Sequence, residues 1–215
     1  SADLRQNLYY FPYLYFLIGA VFMPILPSVV RRVNARRLSQ IEHFRKNPVE
    51  TQEKVLLEIV KTAVSTEWGK KYGFSSVSSV EDFQSRVPVR NYEDYLPSID
   101  RLIKGEKDIT WPGEIRWFAK SSGTTSAKSK YIPVSRESLW DCHYKAAKDI
   151  LTIYAVNYPD TKLFSGKALT LGGSNKINQL NRKSVYGDLS ALLIWNAPFY
   201  AELVRTPSQK IALIE

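Results

Sequence analysis

Ten consecutive residues, Ser121-Ser122-Gly123-Thr124-Thr125-Ser126-Ala127-Lys128-Ser129-Lys130, carry the densest chemistry in this 215-residue chain. They combine hydroxyls, one permissive glycine and two lysines directly after an aromatic-apolar segment with Ile115, Trp117 and Phe118. Gly123 lets backbone N–H groups turn toward an anion without a Cβ penalty. Successive amides in such a turn form a concave anion nest, to which the hydroxyls add rotatable donors. The lysines supply net charge against a polyphosphate. The same residue types also suit a Ser/Thr-rich surface turn, and it is the flanking sequence that favours a nucleotide phosphate loop.

Two familiar phosphate and nucleophile motifs are excluded. A Walker loop needs G-x-x-x-x-G-K-[ST], but Lys128 is the fifth residue after Gly123 and no second glycine precedes it. Tyr131-Ile132-Pro133-Val134 reads as extended, because Pro133 resists both a helix interior and a central ladder position. The segment is therefore strand–loop–strand, whereas Walker and Rossmann loops lead into a helix. No G-x-S-x-G elbow or S-x-x-K pairing surrounds the loop, and the chain has two histidines. Hydroxyls with no base to activate them read as ligands, not nucleophiles. The sequence assigns no catalytic side chain and no metal ligand.

The elements that must position this loop change character along the chain. Val30, Val33, Leu38, Ile41 and Phe44 fall on one helical stripe. Asn47-Pro48 predicts an N-cap and N1 proline with Glu50 at N3, opening a helix that buries Leu56, Leu57, Ile59, Val60, Ala63 and Val64. Trp68, Tyr72 and Phe74 are expected to pack at a helix end. Asn91 caps a helix carrying Leu96, Ile99, Leu102 and Ile103 and ending near Gly105. Beyond the loop, Ser135 caps a long helix with Leu139, Trp140, His143, Ala147, Ile150, Leu151 and Tyr154 at helical spacing. Lys167–Leu171 reads as a short strand ending on Gly172-Gly173-Ser174, and a helix runs from about Asp188 to Trp195 before Pro198. Helices followed by alternating strands and helices indicate an α/β lobe. Gly172, Gly173 and Ser174 form a second candidate site, since strand ends in α/β sheets face the ligand crevice; a plain turn is the competing reading.

Read with its flanks, the loop resembles those of adenylate-forming enzymes. More narrowly, the chain is similar to the bacterial type of the Gretchen Hagen 3 (auxin-responsive promoter) family of acyl acid amido synthetases. The matching text runs through Thr66-Glu-Trp-Gly-Lys-Lys-Tyr-Gly-Phe74, Val87-Pro-Val89, Asn91-Tyr-Glu-Asp-Tyr-Leu96 and Ile103-Lys-Gly-Glu106. It continues through Lys120-Ser-Ser-Gly-Thr-Thr125, Lys128-Ser-Lys-Tyr-Ile-Pro133, Leu171-Gly-Gly-Ser174, Tyr186-Gly-Asp-Leu-Ser190 and Pro198-Phe-Tyr-Ala-Glu-Leu203. The resemblance covers roughly residue 30 onward.

This resemblance implies a two-step ligation. A carboxylate attacks the α-phosphorus of ATP, giving acyl-adenylate and pyrophosphate, and an amino acid amine then captures the acyl group. Mg²⁺ is implied with the nucleotide, and catalysis rests on positioning and charge neutralisation. Carried over, Ser121, Ser122, Gly123, Thr124 and Thr125 would hold the ATP phosphates, with Lys128 and Lys130 at the basic end. Gly172, Gly173 and Ser174 would border the acyl pocket. Ala127 stands where many members carry glycine, which implies a stiffer loop. The implied fold is α/β: the N-terminal part of the large domain of an adenylate-forming enzyme, with a helical first half, then the strand–loop–strand motif and a mixed sheet with helices. Family enzymes run to about twice this length or more, so the resemblance also implies an N-terminal piece, truncated at the C-terminus and inactive alone.

Composition agrees with a folded chain: 44% of residues are hydrophobic and 13% aromatic. The lone cysteine, Cys142, excludes an internal disulfide framework and suits a reducing cytosol. Cys142 and His143 are adjacent, too close to converge on one metal, and are expected to be packing residues. Of the net charge of +9, much lies between Lys120 and Lys183, where eleven basic residues face four acidic ones. That sign attracts ATP; a nucleic acid would be attracted equally, but no recognition helix, RNP motif or zinc-finger spacing accompanies it. A non-catalytic nucleotide-binding remnant is the other alternative. Lys148 and Arg182 could pair a substrate carboxylate, although solvated charge is the simpler reading.

Residues 6–30 carry no charge, and Arg31, Arg32, Arg36 and Arg37 follow. The length and flanking charge suit a membrane span, against which stand Pro12, Pro24 and Pro27. Met23, the only methionine, lies just before the family-like text, so residues 1–22 are expected to be a hydrophobic leader outside the native protein, with 23–215 the adenylate-forming portion. Cytoplasmic location follows from that expectation; membrane anchoring follows if the leader is native. No partner chain is implied beyond ATP, a small carboxylic acid and an amino acid.

Overall fold

A computed structural model describes residues 32–121, 129–163, 166–170, 176–199 and 201–213. The first half is helical: α1 (Ala35–Lys46), α2 (Pro48–Thr62), α3 (Glu67–Lys71), a 3₁₀ turn at Phe74–Ser76, α4 (Val80–Arg86) and α5 (Tyr92–Ile103). The second half alternates: β1 (Trp117–Lys120), β2 (Tyr131–Val134), a π-helical segment (Ser138–Tyr144) running into α6 (Lys145–Asn157), β3 (Ala168–Leu169), β4 (Asn178–Gln179), β5 (Val185–Gly187), α7 (Leu189–Trp195), α8 (Ala201–Val204), β6 (Arg205–Thr206) and α9 (Gln209–Ala212). The expected sequence of a helical half followed by a mixed sheet with helices is what the chain forms.

The main sheet has strand order β2-β1-β5-β4. β1 pairs antiparallel with β2 and parallel with β5, and β5 pairs antiparallel with β4. Alternation along β1 sends its side chains to two different cores. Phe118, fully buried, joins Ile99 and Leu102 of α5 with Ile109 and Ile115. Ala119, on the opposite face, joins Val134, Leu139 and Leu192 of α7. The sheet is thus covered on both sides, by α5 on one and by the π-helical segment with α7 on the other.

Local chemistry explains several helix starts. Thr66 caps α3, its Oγ1 accepting from Gly69 N at 3.0 Å and donating to Ala63 O at 2.7 Å. Ser79 caps α4 by accepting from Asp82 N. At α5, Asp94 reaches back to accept from Asn91 N at 2.9 Å, the N3 half of a capping box. Helix α5 also carries Pro97 inside it and stops at Gly105, whose φ of 87° suits glycine. Ser135 caps as the sequence predicts, accepting from Ser138 N at 3.1 Å. The aromatic group packs as expected, Trp68 edge-on to Tyr72 with centroids 5.6 Å apart, and Tyr72 against Phe74.

Several expectations are corrected. Asn47 does not cap α2: its Nδ2 donates backward to His43 O, closing α1, and Pro48 alone opens the next helix. On α2, Val60 and Ala63 are buried, but Ile59 is half exposed and Leu56, Leu57 and Val64 are only partly covered. Cys142 is exposed, not packed. The cause is the π-helical segment, where residues five apart share a face. Leu139 and Tyr144 therefore both point at the core, and the 3.6-residue stripe drawn through Ala147, Ile150 and Tyr154 emerges exposed. Helix α6 buries Thr152 and Ala155 instead, and a bidentate ion pair across the fold also holds it. Arg37 Nε donates to Asp149 Oδ1 at 2.9 Å and its second nitrogen to Oδ2 at 2.5 Å, raising the Arg37 pKa.

Among the described residues no helix is long and apolar enough to cross a membrane. Residues 1–22, the expected leader, lie outside the described residues.

Candidate functional site

β1 and β2 form a hairpin whose connection is the hydroxyl-rich loop. Their register pairs Trp117 with Val134, Phe118 with Pro133, Ala119 with Ile132 and Lys120 with Tyr131. One step further, Ser121 N donates to Lys130 O at 2.9 Å, and Lys130 N donates to Ser121 Oγ at 3.2 Å. The structure therefore brings Ser121 and Lys130 face to face as the stem that closes the loop. Ser122, Gly123, Thr124, Thr125 and Lys128 lie outside the described residues. The expected strand–loop–strand arrangement is present on both sides of them.

The pairing also explains Pro133. Antiparallel partners alternate between hydrogen-bonded and non-bonded positions. With Ser121 and Lys130 bonded, Lys120–Tyr131 and Phe118–Pro133 fall on non-bonded positions. Pro133 then faces its missing N–H away from β1, on the outer edge of the sheet, where it interrupts no ladder. Tyr131 turns its own N–H and C=O to that same edge. There the Tyr92 hydroxyl meets both, accepting from Tyr131 N at 2.8 Å and donating to Tyr131 O at 3.2 Å.

Aromatic rings flank the two lysines at the mouth of the loop. Lys130 Nζ lies 4.8 Å from the centroid of the Tyr92 ring, and Lys120 Nζ lies 5.9 Å from that of Tyr186 on β5. Tyr131 sits edge-on to Tyr186 at 5.2 Å. Burial, then the neighbouring Tyr186 and Tyr92, push the Tyr131 phenol above its ordinary pKa, so it stays neutral. The loop thus leaves and re-enters the sheet between two lysine–tyrosine contacts, with a cation at each end. Behind β2 lies an apolar cavity of about 370 Å³, lined by Trp68, Tyr95 and Ser98 among others.

None of Tyr92, Tyr131, Tyr186 or Lys120 is identified by reading motif chemistry alone. Tyr92 is visible in sequence as family-like text and as the first residue after a helix cap, and nothing there indicates where its hydroxyl reaches. Gly172, Gly173 and Ser174 lie outside the described residues. The strand before them, β3, pairs in parallel with β6 in a separate two-stranded sheet, not with the sheet that carries the loop. Arg182 is exposed, whereas Lys148 is half buried, and burial holds its ammonium below the usual lysine pKa even though Asp149 opposes this.

Among the described residues no group of three or more His, Cys, Asp or Glu side chains could hold a metal ion. Mg²⁺ needs no such cage, because it keeps much of its water and binds largely through nucleotide phosphates.

The chain is similar to known proteins in both sequence and fold. Over 107 residues the chain is 36% identical to indole-3-acetic acid-amido synthetase GH3.2 of Arabidopsis thaliana, a match covering 49% of this chain and 20% of that protein. It is 31% identical over 117 residues to the probable indole-3-acetic acid-amido synthetase GH3.1 of the same plant, covering 54% of this chain and again 20% of the relative. These matches span about a fifth of the relatives' length. In three dimensions the fold matches the GH3.15 acyl acid amido synthetase with a TM-score of 0.64 at 21% identity, over 89% of this chain and 32% of that one. Residues 37–215 match the GH3 family N-terminal domain, and the chain belongs to that family.

Proposed function

We propose that the full-length protein is an ATP-dependent ligase that adenylates a carboxylic acid and transfers the acyl group to an amino acid amine. Its Ser121–Lys130 loop grips the nucleotide phosphates. The observation that carries this reading is the hairpin stem, where Ser121 and Lys130 pair and a lysine stands on each side of the loop. In this reading Lys120 and Lys130, at the two ends of the loop, oppose the charge of the anion it holds. When bound with ATP, Mg²⁺ would screen charge on the phosphate oxygens. Family membership supports the reaction class, and so do relatives named as amido synthetases acting on indole-3-acetic acid. In this reading the remainder of a longer protein contributes the adenine, ribose and most acyl contacts, so residues 1–215 bind nucleotide weakly and do not turn over.

Acid-dependent ATP–pyrophosphate exchange by the full-length gene product, assayed across a panel of carboxylic acids, tests the proposal. Exchange that appears only with an acid present supports it. Nucleotide binding without exchange under any acid would identify a non-catalytic remnant, and tight salt-sensitive binding of nucleic acid would replace both readings.

We also place the protein in the cytoplasm. Fractionation of cells expressing it from its own locus should recover it in the soluble fraction; retention in membranes after carbonate extraction would show that the uncharged segment anchors it.

A further inference from the structure

The third residue in the loop's stem lies far from it in sequence. We propose that Tyr92 is a positioning residue of the nucleotide site: its hydroxyl clamps the outgoing strand of the loop, and its ring holds the Lys130 side chain. The proposal rests on the reading of Ser121–Lys130 as a phosphate loop and names the residue that fixes where that loop emerges.

Among the described residues β2 is the outer strand of the main sheet, and no strand of these residues pairs with its free edge. Pro133 occupies one outward position and needs no partner for its nitrogen. The other outward pair, Tyr131 N–H and C=O, is met by a single hydroxyl, which acts as acceptor at 2.8 Å and donor at 3.2 Å. Tyr92 therefore does for β2 what one residue of a further strand would do. It does so one residue after Lys130, where any slippage would carry Lys130 and the Ser121 pair with it.

The clamp has a rigid mount. Tyr92 is the first residue of α5, and the far end of that helix is tied to the same sheet from the other side. Ile103 O accepts from Ser184 Oγ at 3.2 Å and from Asn181 Nδ2, both in the turn that leads into β5. Ser184 is fully buried there. Between these ends, Ile99 and Leu102 pack on Phe118 of β1. Helix α5 is thus a strut across the sheet, anchored to β5 at its C-terminus and gripping β2 through Tyr92 at its N-terminus. The Tyr92 ring adds a second restraint, lying 4.8 Å from Lys130 Nζ.

The test uses Tyr92→Phe in the full-length protein, with Tyr95→Phe as the control. Tyr95 lies on the same helix and lines the cavity behind β2, but its ring stacks on Trp68 at 5.3 Å and its hydroxyl is not the one bonded to Tyr131. Removing one hydroxyl keeps the ring and the fold but leaves Tyr131 unclamped. Hydrogen–deuterium exchange of the peptide spanning residues 129–134 should then quicken by about tenfold, and only in the Tyr92 variant. In ATP–pyrophosphate exchange, the KM for ATP should rise about five- to tenfold, with the KM for the acid unchanged and kcat within about twofold. Unaltered deuterium uptake at 129–134 overturns the clamp. Equal rises in both KM values with a lower unfolding midpoint overturn it too, because a general packing residue behaves that way. If the unmodified protein shows no acid-dependent exchange, the ligase reading fails while deuterium uptake still decides the clamp.

Discussion

Thr124→Ala or Ser122→Ala in the full-length protein slows acid-dependent ATP–pyrophosphate exchange by on the order of ten- to a thousandfold, the cost typical of losing one donor to transition-state charge. Under the proposed function the effect belongs to the chemical step, because adenylation would move charge onto the departing pyrophosphate and each loop hydroxyl would contribute a hydrogen bond that strengthens as that charge grows. Stability should hardly change, since a hydroxyl in a surface loop contributes little to folding. Thermal unfolding of each variant checks that half of the expectation. Full exchange activity in both variants would reduce the loop to a simple turn and remove the main support for the ligase reading.

Gly69→Ala has the largest expected effect on stability. A Cβ at this position would stand 2.1 Å from Ala63 O and 2.7 Å from Val64 O, both backbone atoms at the end of α2. Side chains can swing away from a new methyl group, but these carbonyls cannot move without breaking the turn. The turn is fixed by Thr66, fully buried, whose hydroxyl joins Ala63 O to Gly69 N. The substitution must therefore separate α3 from α2, at a cost of about 3 kcal/mol, the upper end for overpacking. Urea unfolding with an unchanged slope and a lower midpoint measures it. A midpoint equal to that of the unmodified protein would mean that α3 does not sit this close to α2.

The same close approach shows what the sequence disclosed and what it withheld. Thr66-Glu67-Trp68-Gly69 is visible as family-like text, but its reason is a contact with a helix end that no local pattern encodes. Helix starts were readable where a short polar side chain both precedes an apolar run and caps it, as at Asn91 and Ser135, because capping is decided within four residues. Asn47 misled because its amide could serve either of two adjoining helices, and the earlier one claimed it. A stripe of apolar residues tells which side chains share a face, not what covers that face, so Ile59 and Ile150 stand exposed despite their spacing. Strands of two or three residues, such as β4 and β5, are too short for alternation to register. The strand–loop–strand stem was legible because Pro133 marks Tyr131–Val134 as extended after a stretch of hydroxyls and glycine. Its clamp was not, because Tyr92 and Tyr131 are neighbours only after α5 has laid itself across the sheet.

The position of β1 between a near neighbour and a distant one has a consequence for synthesis. Its pairing with β2 closes a short loop, whereas its pairing with β5 must wait for Val185–Gly187. Loop-closure entropy favours the local pair first. On a translating ribosome, α5 has already emerged when β2 appears, so the hairpin and the Tyr92 contact can form while the opposite edge of β1 is still bare. That edge, with Phe118 and Ala119 beside it, is the stretch most open to wrong pairing until β5 arrives. Arrest of translation between Val134 and Val185 would therefore yield a nascent chain whose β1–β2 hairpin is built but whose sheet is sticky, and a chaperone that shields unpaired strands should engage it there.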